Sequence, residues 1–417
     1  MKPVVLLQTP FFKAAGSHNN RVSLELCYGS RYLEQAGIEH VVVNADYEET
    51  DMHHPWRELL ENSENYKAAC DGKSPVISQS VEQVMQFRPK VVFVAAGDNY
   101  IPTKDWGSPY IAYHVADRLR QYVKVIGVGP QYTKNQYPFR EPFDNRFFIG
   151  PIDRSIVDVA MGRERKNNMA PVYGDVLPQF GYTHPKGQTT DYVMSSFGCN
   201  FNCDFCYAPV VWGKVYYRDP QDFVRDVHTR ILLTGKKSLY ISDMRFPGKI
   251  KHATKIAELL EEFDYEFTCE SRLNKLKDED AMLMRDIGVK IVKLGVEALN
   301  DNVLRAMNKK QTAKDIKRAV SSYKEAGFQL VGYLLFGSYY DGNVADMNQT
   351  IKEAADMEAI DYWVINVASY GNLDWKYRYD CHFSVIAAEQ QGVPREVIFK
   401  AVDELQEGKK NPTVKTI

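Results

Sequence analysis

The stretch Ser195-Ser-Phe-Gly-Cys199-Asn-Phe-Asn-Cys203-Asp-Phe-Cys206-Tyr207 places three cysteines at C-x₃-C-x₂-C spacing directly after a β-like run. Three thiolates on one tight loop suit an iron–sulfur cluster. A [4Fe–4S] cube held at every corner takes four protein thiolates. Three leave one iron open to a substrate or cofactor, which makes the cluster a reagent rather than a wire. Other readings stand beside this one. A structural zinc site takes four protein ligands in paired Cys/His spacings, and His184 and His228 are both distant in sequence. A disulfide is disfavoured by the closeness of Cys203 to Cys206 and by the cytosolic look of the chain. Three unrelated buried cysteines, packing as small hydrophobes, are the bland alternative.

Outward from the loop, the second half of the chain alternates regularly. Strand-like runs at Tyr192–Phe197, Ser238–Ser242, Tyr265–Cys269, Lys290–Val296, Gln329–Phe336 and Tyr362–Ala368 are separated by helical patterns. Those helices are expected at Pro220–Leu233, His252–Phe263, Asp278–Asp286, Ala313–Ala326 and Val344–Met357, with Gly235, Gly288 and Gly327 as left-handed stops. From Met1 to about Gly150 the pattern also alternates, with strands expected at Val4–Leu7, Glu39–Asn44, Lys90–Ala95 and Lys124–Val128 and helices at Val22–Gln35, Val81–Phe87 and Tyr110–Gln121. A polar insert, Tyr47–Val76, interrupts it. The fold class is α/β: a Rossmann-like parallel sheet domain over 1–150, a Pro- and Gly-rich linker over 151–190, an open six-stranded βα barrel over 191–370 and a short extension over 371–417.

Composition narrows the function classes. The 417 residues are 44% hydrophobic and 25% charged, enough apolar material for a sizeable core and for two or three domains. Lys+Arg 52 against Asp+Glu 54 gives a net charge of −2, so no basic field indicates nucleic acid. No apolar run reaches membrane-spanning length. The opening Met1-Lys-Pro-Val-Val-Leu-Leu-Gln8 is too short for a signal sequence and is expected to be a first strand. Seven cysteines suit a reducing compartment, and a cytoplasmic location is expected.

With Phe205 before the last cysteine and Tyr207 after it, the loop resembles the signature of the radical S-adenosylmethionine (SAM) enzymes. The resemblance implies a partial (β/α)6, TIM-like barrel with the cluster loop after its first strand. It implies that the open iron chelates the amino and carboxylate groups of SAM, and that an electron from the reduced cluster cleaves SAM to methionine and a 5′-deoxyadenosyl radical. An external electron donor such as a flavodoxin or ferredoxin is implied with it.

In parallel βα barrels the chemistry sits at the C-terminal strand ends. Those ends carry Asp243, Glu270, Arg272, Glu297, Gly337 and Ser338. Carboxylates accept from ribose hydroxyls or an ammonium, arginine pairs with a carboxylate, and glycine admits close approach. With Phe205 and Tyr207 these are the expected SAM contacts; internal ion pairs and turns are the structural alternatives.

The segments Cys269-Glu-Ser-Arg272, Lys293–Leu304 and Met307-Asn-Lys-Lys310-Gln-Thr312 resemble the branch that joins this barrel to an N-terminal cobalamin-binding domain. That resemblance implies a corrin ring against Thr9, Pro10, Gly97, Asn99, Gly127, Gly129 and Gln131. The D-x-H-x-x-G motif of many cobalamin proteins is absent: Asp51-Met-His53 begins like it, but Trp56 stands where glycine is required. The alternative is an α/β domain that binds substrate or only packs. The leading expectation is a cobalamin-dependent methyltransferase acting on an unactivated carbon. A radical enzyme catalysing rearrangement, oxidation or cyclisation is the second reading, and a cluster- or cobalamin-based sensor the third.

Overall fold

The structure is a computed structural model that describes residues 2–10, 13–14, 24–45, 53–54, 68–69, 71–95, 109–128, 147–148, 154–164, 192–206, 215–273, 278–367, 392–410 and 412. The chain divides into two compact units between residues 190 and 191.

The first unit runs β1 (Val4–Gln8), β2 (Lys13–Ala14), α1 (Leu24–Gln35), β3 (His40–Asn44), β4 (His53–His54), α2 (Pro75–Met85), β5 (Val91–Ala95), α3 (Pro109–Leu119), β6 (Lys124–Val128), β7 (Phe147–Phe148) and α4 (Ser155–Ala160). Its main sheet is parallel, in the order β3-β1-β5-β6-β7. The unbroken apolar runs Val4–Leu7 and Val91–Ala95 are buried along their whole length, as expected of strands covered on both faces. Strand order reverses between β1 and β5, and in such sheets ligands bind beyond the strand ends at that switch point. Thr9 sits there, its N–H and Oγ1 both donating to the Ala95 carbonyl at 3.0 Å.

Helix α2 starts six residues before the expected Val81. Ser74 caps it, accepting from the Val76 N–H at 3.4 Å, and Pro75 occupies the first turn. The start signal lay inside the polar insert. Part of the expected linker is also built into this unit: Ile156 and Val159 of α4 are buried, and α4 packs on α1.

The second unit contains β8 (Tyr192–Val193), β9 (Ser196–Phe197), β10 (Tyr216–Tyr217), α5 (Pro220–Thr234), β11 (Ser238–Ile241), α6 (Ile250–Leu260), β12 (Glu266–Ser271), α7 (Asp278–Ile287), β13 (Val289–Glu297), α8 (Asp301–Ala306), α9 (Ala313–Glu325), β14 (Gln329–Phe336), α10 (Val344–Ala355), β15 (Tyr362–Val367) and α11 (Arg395–Gln406). Six parallel strands follow one another in chain order, β8-β11-β12-β13-β14-β15. Sequential order without reversal is that of a barrel segment. Helices are stopped where glycine allows positive φ: +68° at Gly235, +100° at Gly288 and +90° at Gly327. Helix α9 begins with a capping box between Thr312 and Asp315. No described helix is long and apolar enough to cross a membrane.

Candidate active site

The cysteine loop is positioned by two buried clamps on the residues before it. Arg218 donates to the Met194 carbonyl at 2.8 Å and pairs with Asp226 at 3.2 Å, while Arg230 reaches Asp226 at 2.9 Å. Asp243, at the end of β11, accepts from the N–H and Oγ of Ser195 at 2.7 and 2.6 Å and from those of Ser196 at 3.1 and 2.6 Å. Burial pushes the Asp243 carboxyl up from its ordinary range, against the pull of these four hydrogen bonds. The clamps break the expected strand Tyr192–Phe197 in two. Residues 192–193 stay in the barrel sheet as β8, and β9 pairs antiparallel with β10, Phe197 opposite Tyr216. Gly198 then takes φ +86° and leads into Cys199.

The loop closes on itself through the Cys206 N–H, which donates to the Cys203 carbonyl at 3.0 Å. Its outer side docks on the turn after α8: Asp204 N–H donates to Met307 O at 3.1 Å, and Asn308 Nδ2 to Asn202 O at 2.7 Å. That turn is shaped by positive φ at Asn308 (+54°) and Lys310 (+57°). Arg272, buried at the end of β12, ties loop and turn together. Its guanidinium donates to Cys203 Sγ at 2.8 Å and to the Lys309 carbonyl, and lies 3.9 Å from the Phe201 ring centre. Lys309 pairs with Glu297 at 2.5 Å, both buried, and sits 5.4 Å from the Phe205 ring centre. Glu297 itself has φ +67°. The space for this pair comes from Gly295, where a Cβ would stand 2.7 Å from Glu297 Oε1 and 2.8 Å from Lys309 Nζ.

Arg272, Glu297 and Phe205 are thus brought together around the cysteine loop, and Asp243 holds its base. Glu270 accepts from Tyr240 Oη at 2.8 Å and Tyr333 Oη at 3.4 Å, below the loop. Gly337 follows β14 with φ +148°, and Ser338 opens a 3₁₀ turn, Ser338–Tyr340. In the first unit, Thr9 and Pro10 lie just past β1, whereas Gly127 is inside β6, opposite Phe147, rather than in the loop beyond it. Tyr207, Gly97, Asn99, Gly129 and Gln131 lie outside the described residues. Sequence reasoning missed Ser195, Ser196, Phe201, Asn308 and Lys309 as site residues. The one local signal among them was Asn308, a residue type tolerant of left-handed backbone.

The donor set fits a cluster. The five described cysteines are free thiols, and the described residues include no group of three His, Cys, Asp or Glu placed to hold one metal ion. A mononuclear zinc needs convergent ligands, whereas each thiolate around a cube binds its own iron. Arg272, donating to Cys203 Sγ, offsets the negative charge that thiolates would gather here. Cys199 lines a recess with Ser196, Gly198, Tyr217 and Arg245. Burial pushes the Tyr217 hydroxyl up, while Arg245 pulls it down.

Comparisons with known proteins agree with this geometry. The chain is 27% identical over 208 residues to an uncharacterized methyltransferase of Pyrococcus horikoshii, covering 49% of this chain and 45% of that protein. It is 22% identical over 244 residues to bacteriochlorophyllide d C-12(1)-methyltransferase of Chlorobaculum tepidum, covering 54% of each. The chain spans about half the length of these curated relatives. Its fold resembles that of the radical SAM methyltransferase TsrM from Kitasatospora setae, solved with cobalamin and a [4Fe–4S] cluster bound, with TM-score 0.64 and 14% identity over 88% of this chain and 75% of that one. The radical SAM superfamily profile matches residues 193–351, which begin on β8 and take in the cysteine loop, Arg272 and Glu297; these residues are a radical SAM domain.

Proposed function

We propose that the protein is a cobalamin-dependent radical SAM methyltransferase acting on an unactivated carbon. Cys199, Cys203 and Cys206 would hold a [4Fe–4S] cluster, which when bound supplies the electron that cleaves SAM to a 5′-deoxyadenosyl radical. The observation that carries the reading is Arg272, which joins the end of a barrel strand to a cysteine sulfur and to the turn that supports the loop. The protein's own residues have distinct tasks. Asp243 and Arg218 hold the loop base rigid, Lys309 neutralises Glu297, and Arg272 offsets the thiolate charge. Glu297 and the Gly337–Ser338 turn would orient SAM, and burial around Arg272 keeps water from the reacting centre.

Cobalamin is assigned to the first unit. Its parallel sheet has a switch point at β1 and β5 with Thr9 and Pro10 beside it, and TsrM, similar in fold, was solved with cobalamin. A flavodoxin- or ferredoxin-like donor would supply the electron. The cysteine-rich, disulfide-free site suits a cytoplasmic protein.

The test is anaerobic reconstitution with iron, sulfide and hydroxocobalamin, then desalting and an absorption spectrum. Retained corrin bands beside broad cluster absorption are the expected result. Cluster bands without corrin would refute the methyl-transfer reading and leave a non-methylating radical enzyme. Neither set of bands would refute both.

A further inference from the structure

Two guanidiniums reach the cysteine loop, one toward Cys203 and one toward Cys199. Arg272 donates to Cys203 Sγ and lies 3.9 Å from the centre of the Phe201 ring. Arg245, in the segment after β11, lies 5.5 Å from the centre of the same ring and lines the recess that contains Cys199. Arg245 is half-buried. Asp243, two residues before it, is already engaged by the N–H and hydroxyl groups of Ser195 and Ser196. Among the described residues Arg245 has no hydrogen-bond acceptor and no acidic partner. A cation drawn away from water calls for a counter-charge close by.

The recess leaves little space for a ligand to bring that charge. Its volume is about 10 Å³, room for about one water. Tyr217 forms one wall, with its hydroxyl over Gly248, where a Cβ would stand 2.9 Å away. The Tyr217 ring lies 5.1 Å from that of His252, whose Nε2 is 2.8 Å from the Arg218 carbonyl. The wall is thus braced by the same arginine that holds Met194. What the recess does contain is Cys199. Three thiolates around a cube carry a net negative charge, and an added electron increases it.

We propose that Arg245 is a redox-tuning residue: its guanidinium, held on Phe201, is the counter-charge of the iron–sulfur cluster on the Cys199 side and makes the cluster easier to reduce. This rests on the cluster reading above and adds a residue to it. Arg272 acts through a hydrogen bond to sulfur. Arg245 acts through charge alone, across a narrow and poorly hydrated gap where charge is weakly screened. Phe201 allows two like charges to flank one loop, because each guanidinium is attracted to its ring. The effect is reciprocal: a cation that favours the reduced cluster is itself stabilised when the cluster is present.

The experiment uses the full chain, reconstituted anaerobically without SAM and checked for cluster absorption first, so that failure of the cluster reading is seen separately. The midpoint is read by EPR along a dithionite titration. Arg245→Gln should make reduction about tenfold less favourable, a one-electron shift of about 59 mV to more negative potential. Arg245→Lys, which keeps the charge and loses the planar fork, should stay within about threefold of wild type. Anaerobic thermal melts give a second readout. With the cluster loaded, Arg245→Gln should melt below wild type; without it, the variant should melt at the same temperature or higher, since an uncompensated charge has been removed. Phe201→Leu, which keeps both charges but removes the ring that holds them, should shift the midpoint the same way by less, and serves if Arg245→Gln takes up no cluster. An unmoved midpoint in Arg245→Gln and Phe201→Leu, an Arg245→Lys midpoint as low as that of Arg245→Gln, or an equal loss of stability with and without the cluster would overturn the proposal.

Discussion

Arg272 does three things with one planar group: it donates to a cysteine sulfur, donates to the Lys309 carbonyl and stacks on Phe201. Hydrogen bonds to the sulfurs stabilise the electron-rich reduced cluster and so raise its potential. Arg272→Leu should therefore shift the midpoint to more negative values, read by redox titration followed by EPR; an unshifted midpoint would contradict the assignment. Lys309 and Glu297 form a buried ion pair, and Lys309→Met leaves the carboxylate uncompensated at about 3–5 kcal/mol of stability, measurable by urea denaturation. Asp243 gives a pH prediction. Its folded-state carboxyl is raised by burial, so between an unfolded value of about 3.9 and the raised one the folded chain keeps a proton that the unfolded chain has lost. Stability then falls as pH rises through that window and is level above it. Asparagine at 243 does not titrate, and its NH₂ faces donors from Ser195 and Ser196, which costs roughly 1–3 kcal/mol. The stability gap between wild type and Asp243→Asn should be widest at the acid end and shrink as pH rises; a widening gap would contradict the burial argument. Arg272 and Glu297 were legible in the sequence because a strand end is a local address. Lys309 was not, since its place depends on a left-handed turn and on a partner twelve residues away.

Most elements could be read from periodicity and their stops. The helices ending at Gly235 and Gly327 fall where glycine halts an amphipathic pattern, and β12 to β15 follow apolar runs. What escaped was set by distant partners. The break between β8 and β9 depends on Asp243, 47 and 48 residues away, and nothing within Tyr192–Phe197 announces it. Helix α2 was misplaced because its Ser74-Pro75 start sat in a segment otherwise reading as polar insert. Packing between β14 and β15 offers a test at this scale. Trp363 is fully buried against Gly332, where an added Cβ would run into the indole ring. Gly332→Ala should cost about 1–3 kcal/mol by overpacking, seen as a lower denaturation midpoint. A neutral substitution would mean that these strands are less closely packed than described.

At the scale of the whole chain, the sequence carried the order of its parts: a parallel α/β unit with a switch point, then a sequentially ordered barrel segment with three cysteines after its first strand. Regular alternation makes such order visible, because strand and helix periods differ and glycine marks the boundaries. The meeting of Tyr240, Glu270 and Tyr333 was not visible there, since they come from three strands and come together only when the sheet forms. The most direct test of the central claim is EPR of the anaerobically reconstituted, dithionite-reduced protein before and after SAM is added. A [4Fe–4S] signal whose g-values change on adding SAM, and which is lost in Cys203→Ala, is the predicted result. A signal indifferent to SAM would mean that no iron is open to it, and would contradict the account.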